Sequence, residues 1–175
     1  MQDNHERYGL VSRVLHWGMG AIFLWQFVGM GLLIILGETP LTYFFLGTHG
    51  PLGAVLFVLI MLRLGWLGRN ARSRPQPADT CNGKLASLGH KLLYALMLIV
   101  PLLALLRSYG SGRAFAPFGI SLWEASEPKI SWMISVGNAA HGVLAWLLLA
   151  LIVGHVGAAI SHKAIKRDQV WSRMV

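Results

Sequence analysis

The chain has little with which to hold itself together in water. Cys81 is its only cysteine, so it can form neither an internal disulfide nor a cysteine-held Fe–S cluster. Charged residues make up only 13% of the 175 residues, and just 7 of them are acidic. No stretch recurs at a fixed period, which excludes solenoids and propellers. What is there instead is grease: 55% of the residues are hydrophobic, too many for an ordinary soluble domain of this size.

The apolar residues gather into four stretches, about Val14 to Leu36, Leu41 to Leu67, Leu85 to Leu106 and Ser131 to Ser161. Each is near the ~20 residues that a membrane span needs. A soluble bundle with a greasy core is the plainer alternative, but no span has a polar stripe wide enough to face water. The expectation is an all-α, integral membrane, antiparallel four-helix bundle forming a single domain over residues 1–175. No signal peptide is expected ahead of the first span. Gly18 to Leu36 is too long for such a core, and no small-residue cleavage site follows it.

The 15 Lys and Arg leave a net charge of +8, a balance that nucleic-acid binders share. Their placement argues against that role. Twelve of them fall at the N-terminus (Arg7, Arg13), around the second connection (Arg63, Arg69, Arg72, Arg74, Lys84, Lys91) and in the tail (Lys163, Lys166, Arg167, Arg173). With four spans these three regions share one side, and the positive-inside rule makes it cytoplasmic. The expected setting is a bacterial inner membrane with both termini in the cytoplasm. The lipid bilayer is then a partner, and contact with anionic lipid is secondary.

Thr39 and Pro40 read as an N-cap followed by a first-turn proline. Pro51 lies inside the second span and should leave the carbonyl of Gly47 without its helical donor. Ser73 to Asn82 reads as a polar loop. Ser108 to Lys129 is the longest connection, rich in glycine, proline and aromatic residues. A connection of that length without a helix of its own is more often functional than a spacer.

Histidine carries the chemistry. His141 and His155 lie 14 residues apart in the last span. That step falls about 40° short of four helical turns and covers roughly 21 Å, most of the ~30 Å hydrocarbon core. One helix thus presents an imidazole near each leaflet on nearly one face. His49 lies 9 residues past Pro40 and His141 10 past Ser131, so these two match in depth near the outer side. On the inner side His155 can pair with His16 or with His90. His162 sits at the exit of the last span and His5 in the soluble start. A lone buried histidine is usually just a packed, hydrogen-bonded side chain. Several converging by depth in so small a bundle point to function. Bis-histidine haem fits imidazoles on opposed helices of a bundle, whereas zinc would gather three or four ligands at one depth. The chain lacks C-x-x-C-H, so such a haem is b-type.

Glycines stand beside these histidines. Gly20 and Gly53 lie four residues after His16 and His49, and Gly89, Gly142, Gly154 and Gly157 flank the others. They could clear space for a porphyrin edge, or simply serve helix packing. Arg63 and Arg107 could pair with propionates, or snorkel to the headgroups. Trp17, Trp25, Trp66, Trp132 and Trp146 are candidates for the interfacial belts.

The segments LHWGMG (Leu15 to Gly20), THGPLG (Thr48 to Gly53), LGHKLLYAL (Leu88 to Leu96), AAHGVL (Ala139 to Leu144) and GHVGAAISH (Gly154 to His162) resemble the prokaryotic dihaem cytochrome b561 family. So does the loop FAPFGISLWEASEP (Phe115 to Pro128), and the likeness covers essentially the whole chain. The resemblance implies two b haems, one held by His16 and His155 and the other by His49 and His141. It implies quinone or proton handling for His90 and His162. The best-understood members are similar to superoxide oxidases, which take an electron from superoxide on the outer face and pass it to ubiquinone. Arg107, Arg113 and Lys129 on the outer side could draw in a small anion, with Glu38, Glu124 and Glu127 opposing them.

The leading expectation is therefore an oxidoreductase moving electrons from superoxide, or another small donor, to ubiquinone. Its rivals are a cytochrome b anchor of a hydrogenase- or dehydrogenase-type complex, and a haem-free transport or scaffold protein. No nucleic acid is expected as a partner, and a homodimer is left open.

Overall fold

The computed structural model describes residues 2–75 and 81–175. Its long elements are four helices, α1 (Leu10–Leu36), α2 (Pro40–Asn70), α3 (Cys81–Gly110) and α4 (Ser131–Ser161). They run 27 to 31 residues, or roughly 40–46 Å, which exceeds the hydrocarbon core. All four are long and apolar enough to cross a membrane. In lipid every backbone N–H and C=O must find its partner inside the segment, and a helix does this. The protein is an all-α membrane four-helix bundle, as its hydropathy predicts.

The helices outrun the apolar stretches. α1 starts at Leu10, α3 starts at Cys81, and α4 continues as one π-helical turn, His162–Lys166. Hydropathy marks only the part of a helix that sits in lipid; polar ends extend the same hydrogen-bond ladder into the headgroups. Part of the loop expected from Ser73 to Asn82, residues 76–80, lies outside the described residues, and Cys81 and Asn82 already belong to α3.

The first connection is tight because its residue types suit it. Gly37 takes φ 65° and its N–H closes on the carbonyl of Leu33, the left-handed position where glycine carries no Cβ penalty. Thr39 then caps α2 as expected. Its side chain accepts from the Thr42 N–H, the Thr42 hydroxyl answers to the Thr39 backbone, and Pro40 opens the first turn. The connection from α3 to α4 is more ordered than its length implied. It holds a single 3-10 turn, Pro117–Gly119, and Phe115 bridges Trp123 as a short antiparallel pair. Trp123 Nε1 donates to the carbonyl of Arg113 at 3.0 Å, and the Phe115 ring lies against Gly50 of α2.

α1 packs on α2, α2 on α3 and α3 on α4, but α4 packs along neither α1 nor α2. One core still draws on all four helices, through Met19 and Phe23, Leu56 and Ile60, Leu93 and Leu96, and Leu148. Large apolar side chains such as Leu24, Ile35, Val143 and Val153 point outward, where lipid replaces water. The two terminal segments meet at one end. Tyr8 N–H donates to Arg173 O at 3.1 Å and Trp17 Nε1 to Met174 O at 3.0 Å. Asp3, buried there, accepts from the Gly9 N–H at 2.8 Å and the Ser12 hydroxyl at 2.7 Å, and Ser12 receives Trp66 Nε1 at 3.1 Å.

The α3–α4 contact depends on Gly137. A Cβ there would stand 2.5 Å from Arg107 Cβ and 3.0 Å from the Leu103 carbonyl, which belongs to rigid helix backbone. Gly137→Val should destabilise by about 1–3 kcal/mol and lower the Tm by roughly 3–10 °C in detergent. Gly31→Ala, where a Cβ would meet nothing within 4 Å, should be neutral or better. Thermal unfolding followed by circular dichroism checks both, and equal Tm losses would contradict the packing described.

Candidate functional site

Both inner walls of the bundle carry imidazoles. At the end where the chain termini meet, His16 of α1 faces His155 of α4 with ring centroids 6.1 Å apart and planes at 58°. Toward the opposite, loop end, His49 of α2 faces His141 of α4 at 6.2 Å and 85°. Each pair spans helices that do not pack on one another.

These separations have a chemical meaning. A metal–imidazole nitrogen bond is about 2 Å, and the ring centroid lies roughly 1.1 Å behind that nitrogen, so two imidazoles trans across one metal ion stand about 6.2 Å apart. Both pairs fit that spacing. His90 of α3 also reaches His155, but at 5.3 Å, too short for opposite faces of one porphyrin. Depth alone leaves His16 and His90 tied as partners of His155; the ring separations favour His16. Among the described residues no three His, Cys, Asp or Glu side chains converge on one point. The donor sets are pairs, which suits a ligand that brings its own four nitrogens.

Second contacts orient the rings. His141 Nδ1 lies 3.0 Å from the carbonyl of Val100. A carbonyl only accepts, so Nδ1 carries the proton and Nε2 keeps its lone pair for a metal. Gln26 Nε2 donates to the carbonyl of His49 at 2.9 Å. Two buried polar atoms here have no partner among the described residues, His16 Nδ1 and Gln26 Oε1. A cavity of about 140 Å³ opens between the loop-end histidines, walled by Phe23, Phe27, Leu56 and Val100 and floored by Gly53 and Gly142. An apolar hollow between two imidazoles is where a macrocycle can lie.

The glycines separate into two groups. Gly29, Gly110 and Gly137 sit where a Cβ would come within 2.7 Å of Phe45, Met133 or Arg107; they serve helix packing. At Gly20, Gly89, Gly142, Gly154 and Gly157 a Cβ would meet nothing within 4 Å, and at Gly53 only Gln26 Nε2 at 3.8 Å. The glycines beside the histidines therefore border open space, as do Gly31, Gly47, Gly65 and Gly68 elsewhere on the helices.

Arg63 Nε donates to the Tyr94 hydroxyl at 3.1 Å, with its guanidinium 5.5 Å from that ring. Arg63, Arg74 and Tyr94 share a small pocket at the termini end with Ser12 and Trp66. At the loop end Arg107, Arg113 and Lys129 are all exposed. Two of the opposing acids are engaged, Glu38 by the Tyr43 hydroxyl at 2.7 Å and Glu124 by Ser121 at 2.6 Å. His162 stands apart from the pairs. Its Nδ1 lies 2.6 Å from Asp168 Oδ2, and Lys166 Nζ lies 3.5 Å from its Nε2. Gln26, Val100 and Asp168 escaped the sequence reading. A lone amide in an apolar span was the one visible signal, and it belonged to Gln26.

An all-helical membrane bundle with histidines paired across its interior is the build of a membrane-bound cytochrome b. The chain belongs to the prokaryotic cytochrome b561 family, whose pattern it matches over residues 7–175. Membership carries with it haem b binding and electron transfer in a membrane. It is 27% identical to cytochrome b561 homolog 2 of Escherichia coli (strain K12), over 97% of this chain and 92% of the relative. It is 32% identical to cytochrome b561 homolog 1 of the same organism, over 73% of each. It is also 24% identical to the probable superoxide oxidase CybB of Yersinia pestis, over 98% of this chain and 97% of the relative.

The His162–Asp168 contact yields a pH prediction. The hydrogen bond from His162 is the main cause holding the Asp168 carboxyl below its ordinary value of 3.8. A depressed carboxyl stabilises the docked tail above its unfolded pKa, and that contribution is lost as pH falls through the lower, folded value. Trp171 fluorescence should report loosening of residues 162–175 as pH drops below about 4. Asp168→Asn should loosen the tail at neutral pH and abolish this acid step.

Proposed function

We propose that the chain holds two b haems, one between His16 and His155 and one between His49 and His141, and that it oxidises superoxide and reduces ubiquinone. The observation that carries this reading is the pair of ring separations, 6.1 and 6.2 Å, joined to the likeness to a probable superoxide oxidase. Haem b, when bound, would supply a reversible one-electron couple, and His16 with His155 and His49 with His141 would hold it, leaving substrate to react without binding iron. Superoxide then reacts by outer-sphere loss of an electron, at the end where Arg107, Arg113 and Lys129 are exposed. Two superoxide anions become two dioxygen molecules, and one ubiquinone takes the two electrons and two protons to become ubiquinol.

The basic residues on the termini side support a bacterial inner membrane setting with both termini cytoplasmic, which puts the loop end outside. His90 supports a quinone role at the inner site. Its ring lies 5.3 Å from that of His155, close enough for a quinone beside it to exchange electrons with a haem held there. His162, held by Asp168, lies where protons from water can be handed on.

His141→Ala should leave one haem per chain by pyridine haemochrome, and superoxide-driven ubiquinone reduction should fall to background. His90→Ala should keep both haems. Full turnover by His141→Ala protein would refute the assignment. The anion-steering role has its own check. Changing Arg107, Arg113 and Lys129 together to Ala should lower the second-order rate with superoxide on the order of tenfold at low salt, with the gap closing as ionic strength rises. Stopped-flow kinetics at several salt concentrations measures it.

A further inference from the structure

We infer that Gln26 is a positioning residue of the outer site, which fixes α2 at His49 and lowers the reduction potential of the haem bound there. This rests on the two-haem reading above. Gln26 is only 8% exposed, on an apolar face of α1. Its Nε2 donates to the His49 carbonyl at 2.9 Å, which ties the backbone of that ligand to a neighbouring helix. The orientation of the amide is forced. The His49 carbonyl can only accept, so nitrogen must face it and Oε1 must face elsewhere.

Oε1 is buried with no partner among the described residues, and Gln26 lines the cavity shared by His49 and His141. An unmet amide oxygen in apolar surroundings is costly to the protein alone. It becomes useful when the occupant of the cavity gains positive charge. A carbonyl oxygen is the negative end of its dipole, and a ferric haem carries one more positive charge than a ferrous one. In a low-dielectric interior such a fixed dipole acts strongly, and it favours the oxidised form. Among the described residues the inner pair has no such oxygen; the unpartnered buried atoms toward that end are His16 Nδ1 and Arg13 Nε, both nitrogens.

The test is a spectroscopic redox titration of the full chain in detergent, with the outer haem assigned by its loss in His141→Ala. Gln26→Met and Gln26→Leu remove both the donor and the dipole at similar volume. The outer haem's midpoint should shift upward and its EPR signal should change, while the inner midpoint stays in place. Loss of the outer haem alone would also support the positioning role. Gln26→Glu, whose protonated carboxyl keeps a donor to His49 and an oxygen dipole, should retain two haems and a midpoint no higher than the parent's. The inference is overturned if Gln26→Met holds both haems at parental potentials, if both midpoints move equally, or if both haems are lost together. A parent protein with fewer than two haems would instead defeat the two-haem reading, so the two failures are distinguishable.

Discussion

The space between α4 and the α1–α2 hairpin is the constraint on which the rest of the structure depends. α4 takes its support from α3, through Gly137 and Gly110. That leaves its other side free to hold His141 and His155 away from the helices they face. Were α4 to close onto α1 and α2, the imidazoles would collide instead of standing about one metal ion apart. Close packing on one side and deliberate separation on the other are two halves of one arrangement.

Much of this was legible before any coordinates. The depth match of His49 and His141 could be counted from Pro40 and Ser131 because both residues do begin helices. The Thr39 cap was equally plain, since its chemistry is local. Counting depth left His16 and His90 tied, since both reach His155, at 6.1 and 5.3 Å; in the sequence only the family resemblance named His16. Neither the bond from His141 to Val100 nor that from Gln26 to His49 could be read. Each depends on how one helix is rotated against another. Helices that are apolar all round, with lipid outside and side chains inside, carry no periodic pattern that fixes rotation.

The charged residues divide along similar lines. Arg63, placed in the second span by sequence, is held in the structure by Tyr94, a partner 31 residues away. The loop-end cations keep their exposure, while Glu38 and Glu124 are each occupied by a neighbouring hydroxyl. Those hydroxyls fix where the two carboxylates point without cancelling their charge, so Glu38 and Glu124 still oppose the cations at that end.

The order of packing, α1 on α2 on α3 on α4, makes the molecule a book of two leaves with its spine at α2 and α3. The fore-edge, between α1 and α4, is joined by side chains and by the clasp of the terminal segments, with no long run of backbone contact. Widening it breaks no helical hydrogen bond. The cost of parting α1 from α4 is therefore carried by side-chain contacts and the terminal clasp alone.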